Sequence, residues 1–491
     1  MEKYIISLDL GTTNVKVALY NSKLEEINVT SLKVTYSNKG DFVEFDPENY
    51  WDLCRESIKK SIKNSTIDPK TIASISITGQ AESLILLDTN YRPLRMAISW
   101  LDERSKEECE ILSSRFQRED GYKITGLPEM ITTVPITKIL WIKRNEPEIF
   151  DRAHKFLLIK DFIIFKLTHS FISEYSTYSF SYYFDIVKKK YWEEILDFVN
   201  VKKEQLPELL EPGETAARVS TEIADEFNFA RNTEVNTGAL DHFAGMIGVG
   251  NIKEGILSET TGTVLALAML TKVPYINEYS QPCHCSALKN RYVLLPVCES
   301  GGISLEWFRD NFYGNMDYDL LNKEIEKFPG SENDLIFLPY ITGANAPEFN
   351  SNARGVFYGI RSKHKKADFA RSVMEGITFL LRKNVEYLER MGMSVENIIS
   401  LGGGSKSALW NQMKADITGK DIIIPANKEA TSFGAAILSA VKSGFYKSIE
   451  EAVDKLIAVK ETYRPKEGKF YDKNYNTFIY LYDSLTPVFN S

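Results

Sequence analysis

Apolar and polar positions near the start of the chain alternate as in a β-hairpin. Tyr4–Leu10 is a short β-rich run ended by Gly11-Thr12-Thr13, and Val15-Lys16-Val17-Ala18-Leu19-Tyr20 resumes strand character after this hydroxyl-rich turn. Asp46-Pro47 then starts a helix, because Tyr50, Leu53, Cys54, Ile58 and Ile62 recur at helical spacing before a strand over residues 72–77. A similar unit begins again near the middle. Gly255-Ile256-Leu257-Ser258-Glu259 runs into Thr260-Thr261-Gly262-Thr263, and residues 264–270 continue as a strand. The echo fits a duplicated domain, although two short Thr/Gly turns also match by chance. Between the two units, Val235-Asn236-Thr237-Gly238-Ala239-Leu240-Asp241 reads as a strand that delivers an acid to its edge, followed by the small residues Ala244, Gly245, Gly248 and Gly250. The domain boundary is expected there, giving domains over residues 1–245 and 246–491. Farther on, a strand over residues 398–401 runs into Gly402-Gly403-Gly404-Ser405 and an amphipathic helix over residues 409–417.

Length agrees with this two-part reading, since 491 residues exceed one hydrophobic core and imply roughly two to four domains. With 43% hydrophobic and 26% charged residues the composition is that of an ordinary globular protein, and the opening unit's mix of antiparallel strands and crossover helices fits an α/β class. A net charge of -8 lacks the basic excess of nucleic-acid binders, which directs attention to small-molecule chemistry. The five cysteines are odd in number and contain no CxxC pair, so they read as reduced thiols. The one-residue gap of Cys283-His284-Cys285 differs from usual metal-ligand spacing. No signal-peptide core and no eighteen-residue apolar run follow Met1, so a cytoplasmic protein with no membrane partner is expected.

Turns of Gly, Thr and Ser suit phosphate groups, because glycine admits backbone N–H groups close to the oxygens and hydroxyls add donors. Phosphoryl transfer requires such positioning, charge neutralisation and a base for the attacking hydroxyl. Asp9, beside the first turn, suits Mg²⁺ or equally a turn cap. Asp241 suits a general base or equally a helix N-cap. The Gly402–Ser405 turn suits a nucleotide or plain strand-to-helix packing, with neither a Walker-A lysine motif nor a GxGxxG fingerprint present.

Together these landmarks resemble the FGGY family of carbohydrate kinases, which includes xylulokinases, gluconokinases, ribulokinases and glycerol kinases. Gly355-Val356-Phe357-Tyr358-Gly359-Ile360, then Asp368-Phe369 and Ser372-Val373-Met374-Glu375, is similar to the family's C-terminal signature without a mismatch. Pro135-Ile136-Thr137-Lys138-Ile139-Leu140-Trp141-Ile142 resembles the N-terminal signature, departing only at Thr133. The resemblance implies two ribonuclease-H-like domains of the actin/hexokinase type flanking a catalytic cleft, with ATP and Mg²⁺ as cofactors. It implies that Asp9 holds the metal, that Gly11, Thr12 and Thr13 form the first phosphate segment, and that Thr260, Thr261 and Gly262, with Thr263, form the second. Gly301-Gly302 becomes a further nucleotide contact, Gly402, Gly403, Gly404 and Ser405 the adenosine segment, and Asp241 the catalytic base. The family usually has Gly-Thr where Thr260-Thr261 stands, and β-branched residues tolerate positive φ poorly, so this turn is expected to differ locally.

The acceptor pocket implied by the resemblance comprises Gln80, Ala81, Glu82, Trp100, Asp102 and His242. Glycerol kinases resemble one another in having Arg-Glu after the Gln and a Tyr five residues before the signature Lys, whereas this chain has Ala81, Glu82 and Thr133. Xylulokinases usually show Met-His at positions 81–82 and Asn at position 242. The reading reached is ATP-dependent phosphorylation of a small carbohydrate, with a pentulose such as xylulose or another ketose or sugar acid leading. A glycerol or tetritol kinase is the alternative within the class, and an actin-like ATPase switch the alternative outside it. The partner is a sugar or polyol, and a homodimer stays open.

Overall fold

The computed structural model describes residues 2–276, 281–327, 334–427, 429–466 and 469–491. The opening hairpin pairs β1 (Tyr4–Leu10) with β2 (Asn14–Asn21), and β3 (Glu26–Lys33) continues the antiparallel run. On the other side of β1 lie β4 (Ile72–Gly79) and β6 (Glu234–Asn236), both parallel to it, and β5 (Thr215–Arg218) closes the edge antiparallel to β6. The sheet order is β5-β6-β4-β1-β2-β3. Its strands bury Ile6, Leu8, Val15, Val17, Ile75 and Ile77 in a core shared with Tyr50, Cys54 and Ile58 of the helix Pro47–Ser65 and with Phe162 of the helix Ile159–Thr168.

A second sheet contains β7 (Ile256–Thr261), β8 (Leu265–Thr271), β9 (Val297–Cys298), β10 (Asn397–Leu401), β11 (Asp421–Pro425) and β12 (Val459–Tyr463). Here β9-β8-β7 is antiparallel, β7-β10-β11 is parallel, and β12 is antiparallel to β11. Strand for strand, this reproduces β3-β2-β1-β4-β6-β5. The duplication suggested by the Thr/Gly turns is therefore present in the topology, with Gly11 to Thr13 and Gly262-Thr263 at equivalent hairpin turns.

The chain forms two compact units, each discontinuous in sequence. The first is Met1–Ile252 with Thr271–Val293 and Asn427–Ile457, and the second is Lys253–Leu270 with Leu294–Ala426 and Ala458–Ser491. A single division near residue 245 thus meets two later segments that return to the first unit. The returning helix Ala430–Lys442 covers the sheet face opposite Pro47–Ser65, where Ser76 Oγ donates to Ala435 O at 2.8 Å and the Ser74 and Ser439 hydroxyls pair at 2.5 Å. It crosses the helix Asp241–Gly248 at contact so close that a Cβ at Gly248 would stand 1.9 Å from Ala430 O.

Candidate active site

Three adjacent parallel strands, β1, β4 and β6, end on the same edge of the first sheet, and each is followed or ended by a site carboxylate. Asp9 is the penultimate residue of β1, opposite Lys16 in the β2 register. Burial pushes its carboxyl up to about 7, Asp241 and Glu429 add to the rise, and Lys16 opposes it. Lys16 pairs in turn with Glu429 at 2.5 Å. Among the described residues, none donates a hydrogen bond to the Asp9 carboxylate.

Beyond β4, Gln80 N–H donates to Leu10 O at 3.0 Å and turns the chain so that Glu82 adopts φ 69°. Thr133 Oγ1 donates to Glu82 Oε1 at 3.2 Å, and Lys138 Nζ donates to Thr133 O at 2.7 Å. Burial pushes the Glu82 carboxyl up to about 7 against the pull of Lys138 and Thr133, with Asp241 reinforcing the rise. Burial likewise lowers the Lys138 ammonium to about 8, with Glu82 and Asp102 opposing.

Beyond β6, Leu240 bridges to Gly79, which sets Asp241 at the start of its helix. Asp241 is the first helical residue; the N-cap position is Leu240, without a side-chain cap bond. Among the described residues the carboxylate accepts only His242 N–H, at 2.6 Å through Oδ1. Burial raises its pKa, while His242 and Lys160 lower it. The alternative of a plain N-cap is thus replaced by a carboxylate with spare acceptor capacity beside two other acids.

The remaining predicted residues divide between this edge and its support. Trp100 Nε1 donates to Thr12 Oγ1 at 2.9 Å, which joins the first Thr/Gly turn to the acceptor side and leaves the Thr12 hydroxyl proton free to donate. Gln80 and Ala81 are buried beneath Glu82. Gln80 Oε1 accepts Ser83 Oγ at 2.9 Å. Asp102 is committed elsewhere. It is fully buried, accepts Val43 N–H at 2.6 Å, and takes Arg104 Nε and Nη2 at 2.8 and 2.7 Å. Its expected contact with the acceptor gives way to a role in fixing its own loop. His242 lies near His284, whose ring stacks on Phe180 with centroids 3.8 Å apart and whose Nδ1 is 3.3 Å from Ser179 O. Burial lowers His284 to about 3, so it is neutral, and its neighbours Cys283 and Cys285 are buried free thiols.

In the second unit the glycine segments meet on one turn. Thr260 and Thr261 lie inside β7, in register with Ala266 and Leu265 of β8. Their backbone is extended, which β-branched residues favour, so the Thr-for-Gly departure needs no positive φ and the expected local difference does not arise. Gly302 N–H donates to Gly262 O at 2.7 Å and Ile303 N–H to Thr263 O at 3.1 Å, seating the N-terminus of the helix Gly302–Phe312 on the turn. A Cβ at Gly302 would stand 2.4 Å from Gly262 O, and one at Gly404 2.7 Å from Thr261 Cβ. Gly402, at φ 76°, is similarly close to Thr261 O, at 2.8 Å, whereas Gly403 has ordinary space. Thr261 Oγ1 donates to buried Glu259 at 2.6 Å, and Glu259 is paired with Lys414 at 2.5 Å. Thr261 is thus buried, with its hydroxyl committed to Glu259. Ser405 Oγ donates to Gly402 O at 2.8 Å.

Sequence reasoning passed over Lys16, Lys138 and Lys160. Strand alternation places Lys16 opposite Asp9 once the hairpin is drawn, and Lys138 stood inside a quoted motif without a role. Lys160 had no local signal.

Two topologically equivalent ribonuclease-H-like units, one with acids on a strand edge and the other with a glycine-lined turn at a helix N-terminus, define a phosphotransferase of the actin/hexokinase-like class. The N-terminal domain of the FGGY family of carbohydrate kinases matches residues 4–248, and its C-terminal domain matches residues 260–443. The chain belongs to the FGGY family of carbohydrate kinases, a kinase class that sets aside the ATPase-switch alternative. It is 31% identical to a xylulose kinase of Lactococcus lactis, covering 99% of this chain and 97% of that protein. It is 28% identical to a gluconokinase of Bacillus subtilis, covering 99% and 96%. The solved structure of a ligand-bound xylulose kinase from Lactobacillus acidophilus superposes with a TM-score of 0.93 at 28% identity, covering 99% of each chain. Sugar kinases of this family use ATP. Among the described residues no helix is long and apolar enough to cross a membrane.

Proposed function

We propose that the chain transfers the γ-phosphoryl group of ATP to one hydroxyl of a pentulose such as xylulose, or of another ketose or sugar acid, in the cytoplasm. The observation that supports this most directly is the convergence of Asp9, Glu82 and Asp241 on one strand edge, where Asp241 raises the pKa of both other acids. Asp241 takes the proton of the acceptor hydroxyl as its oxygen bonds to the γ-phosphorus and the bridging bond to ADP breaks. A raised pKa makes it a stronger base than an ordinary carboxylate. Glu82 and His242 hold neighbouring hydroxyls of the acceptor.

Asp9 fits Mg²⁺, because it is a half-buried carboxylate with no hydrogen-bond donor of its own among the described residues and a charge that its surroundings disfavour. The ion, when bound, neutralises phosphate charge. Lys16 supplies a further positive charge beside Asp9. Thr12 and Thr13 of the first turn and Thr263 of the second donate to phosphate oxygens, while the N–H groups of Gly11, Gly262 and Gly302 hold the turns in shape by donating to Asn14 O, Val264 O and Gly262 O. Gly402, Gly403, Gly404 and Ser405 line the adenosine.

The second reading, a glycerol or tetritol kinase, is favoured by one feature, the retained acid at Glu82. A coupled ADP-release assay over ketoses, sugar acids and polyols decides between them. A four- to six-carbon ketose or polyol should exceed glycerol by at least about tenfold in kcat/KM, the worth of one unpaired buried polar group. Asp241→Asn should lower turnover on the best acceptor by roughly 10²- to 10⁴-fold. Glycerol as the best acceptor, or an Asp241→Asn enzyme that retains most of its turnover, would overturn the reading.

A further inference from the structure

Behind Asp241 lies a polar assembly that the transfer reaction itself does not use. Lys160, in the first turn of the helix Ile159–Thr168, and Glu174, at the end of the strand Ile172–Glu174, are both fully buried and pair at 2.5 Å. Glu174 also accepts Ser176 N–H at 2.5 Å and Thr177 N–H at 3.1 Å, which caps the short helix Tyr175–Tyr178, and it accepts the Thr177 hydroxyl. Ser176 Oγ in turn accepts Leu240 N–H at 3.0 Å, and Leu240 directly precedes Asp241. An unbroken chain of hydrogen bonds thus runs from a buried ammonium to the residue that sets where the base stands.

We propose that Lys160, Glu174 and Ser176 are positioning residues for phosphoryl transfer, fixing the Asp241 carboxylate against the strand edge and placing a positive charge behind it. The proposal rests on Asp241 being the base. A buried ion pair contributes little net stability compared with apolar side chains of similar size, so stability alone is a weak reason for this one. A buried Lys close to a carboxylate has a second effect, which is to keep that carboxylate ionised. The groups facing Asp241 are Asp9 and Glu82, which disfavour its charge, and His242 and Lys160, which favour it. Of the two favourable groups, only Lys160 is held by a buried partner of its own.

The test compares the full-length enzyme with Lys160→Met/Glu174→Gln, in which the Gln carbonyl keeps an acceptor for the helix cap, Ser176→Ala and Asp241→Asn, on the best acceptor with MgATP. The double variant removes both buried charges together, leaving neither unpaired. It should melt within a few degrees of the parent, yet lose at least about tenfold in kcat, and its acid limb of kcat/KM should move to higher pH by about one pH unit, the effect of one nearby opposite charge. Ser176→Ala leaves Leu240 N–H unpaired and should lower kcat roughly tenfold with the KM for ATP unchanged. If both variants keep the parental kcat and pH profile while Asp241→Asn is inactive, the positioning role is wrong and the base assignment stands. If Asp241→Asn remains active, the base assignment itself fails.

Discussion

The crossing of the helices Asp241–Gly248 and Ala430–Lys442 allows the site to be disturbed from a distance by one methyl group. A Cβ at Gly248 would stand 1.9 Å from Ala430 O, and one at Gly434 would stand 1.7 Å from Ala244 O. Ordinary contact begins near 3.4 Å, so Gly248→Ala must drive the helices apart by about 1.5 Å, and the obstacle is backbone that cannot rotate away. Overpacking of this kind costs about 1–3 kcal/mol or more, enough to lower Tm by about 5 °C. The larger consequence is catalytic. Asp241 begins the displaced helix, and a shift of about 1 Å in a reacting group costs on the order of 10²-fold. The expected enzyme folds, melts several degrees lower, and turns over roughly a hundredfold more slowly. Gly245→Ala is the internal control, since its Cβ would meet only Thr431 Oγ1, at 3.5 Å, and alanine favours a helix. Differential scanning fluorimetry and the coupled ADP assay read both effects. Parental Tm and turnover in Gly248→Ala, or equal damage from Gly245→Ala, would refute the reasoning.

Two further outcomes follow from the buried groups. Because Asp9 and Glu82 are raised to about 7 from ordinary carboxylate values, the folded chain binds their protons more tightly than the unfolded chain. Their contribution is therefore fully present below the unfolded pKa and is lost as pH rises through about 7. Asp9→Asn and Glu82→Gln should accordingly raise Tm at pH 8 relative to the parent and change it less at pH 5; a lower Tm at pH 8 in both would contradict the burial argument. Cys54, Cys283, Cys285 and Cys298 are buried with thiols pushed up by desolvation, while Cys109 is half-buried. A thiol reagent at pH 8 should label at most Cys109 until denaturant is added, and fast native labelling of the other four would show the packing to be wrong.

What could be read from the sequence was what is local. The hairpin of β1 and β2, the Thr/Gly turns and the acid after β6 each depend on neighbours within a few residues, and each stands where alternation and turn chemistry put it. The small residues after Asp241 were read as a boundary, yet Gly248 serves a helix crossing whose partner surface, around Ala430 and Gly434, comes much later in the chain. Asp102 was placed in the pocket by the resemblance alone, and only the folded loop shows Arg104, two residues on, turned back onto both of its oxygens. Lys160 beside Asp161 at a helix start looks like a solvated end, and only the tertiary fold buries it on Glu174.

The carboxylate cluster was nevertheless found, and the topology gives the reason. β1, β4 and β6 are adjacent and parallel, so their C-terminal ends share an edge, and residues at or just beyond those ends converge there however far apart they are in sequence. Asp9, Glu82 and Asp241 each occupy that position. A parallel sheet thus brings two local readings, Asp9 and Asp241 at strand ends, together with Glu82, which the resemblance alone marked, in one candidate site. Groups behind the sheet edge, such as Lys160 and Lys138, have no equivalent rule, because their placement depends on how helices pack and not on where strands end.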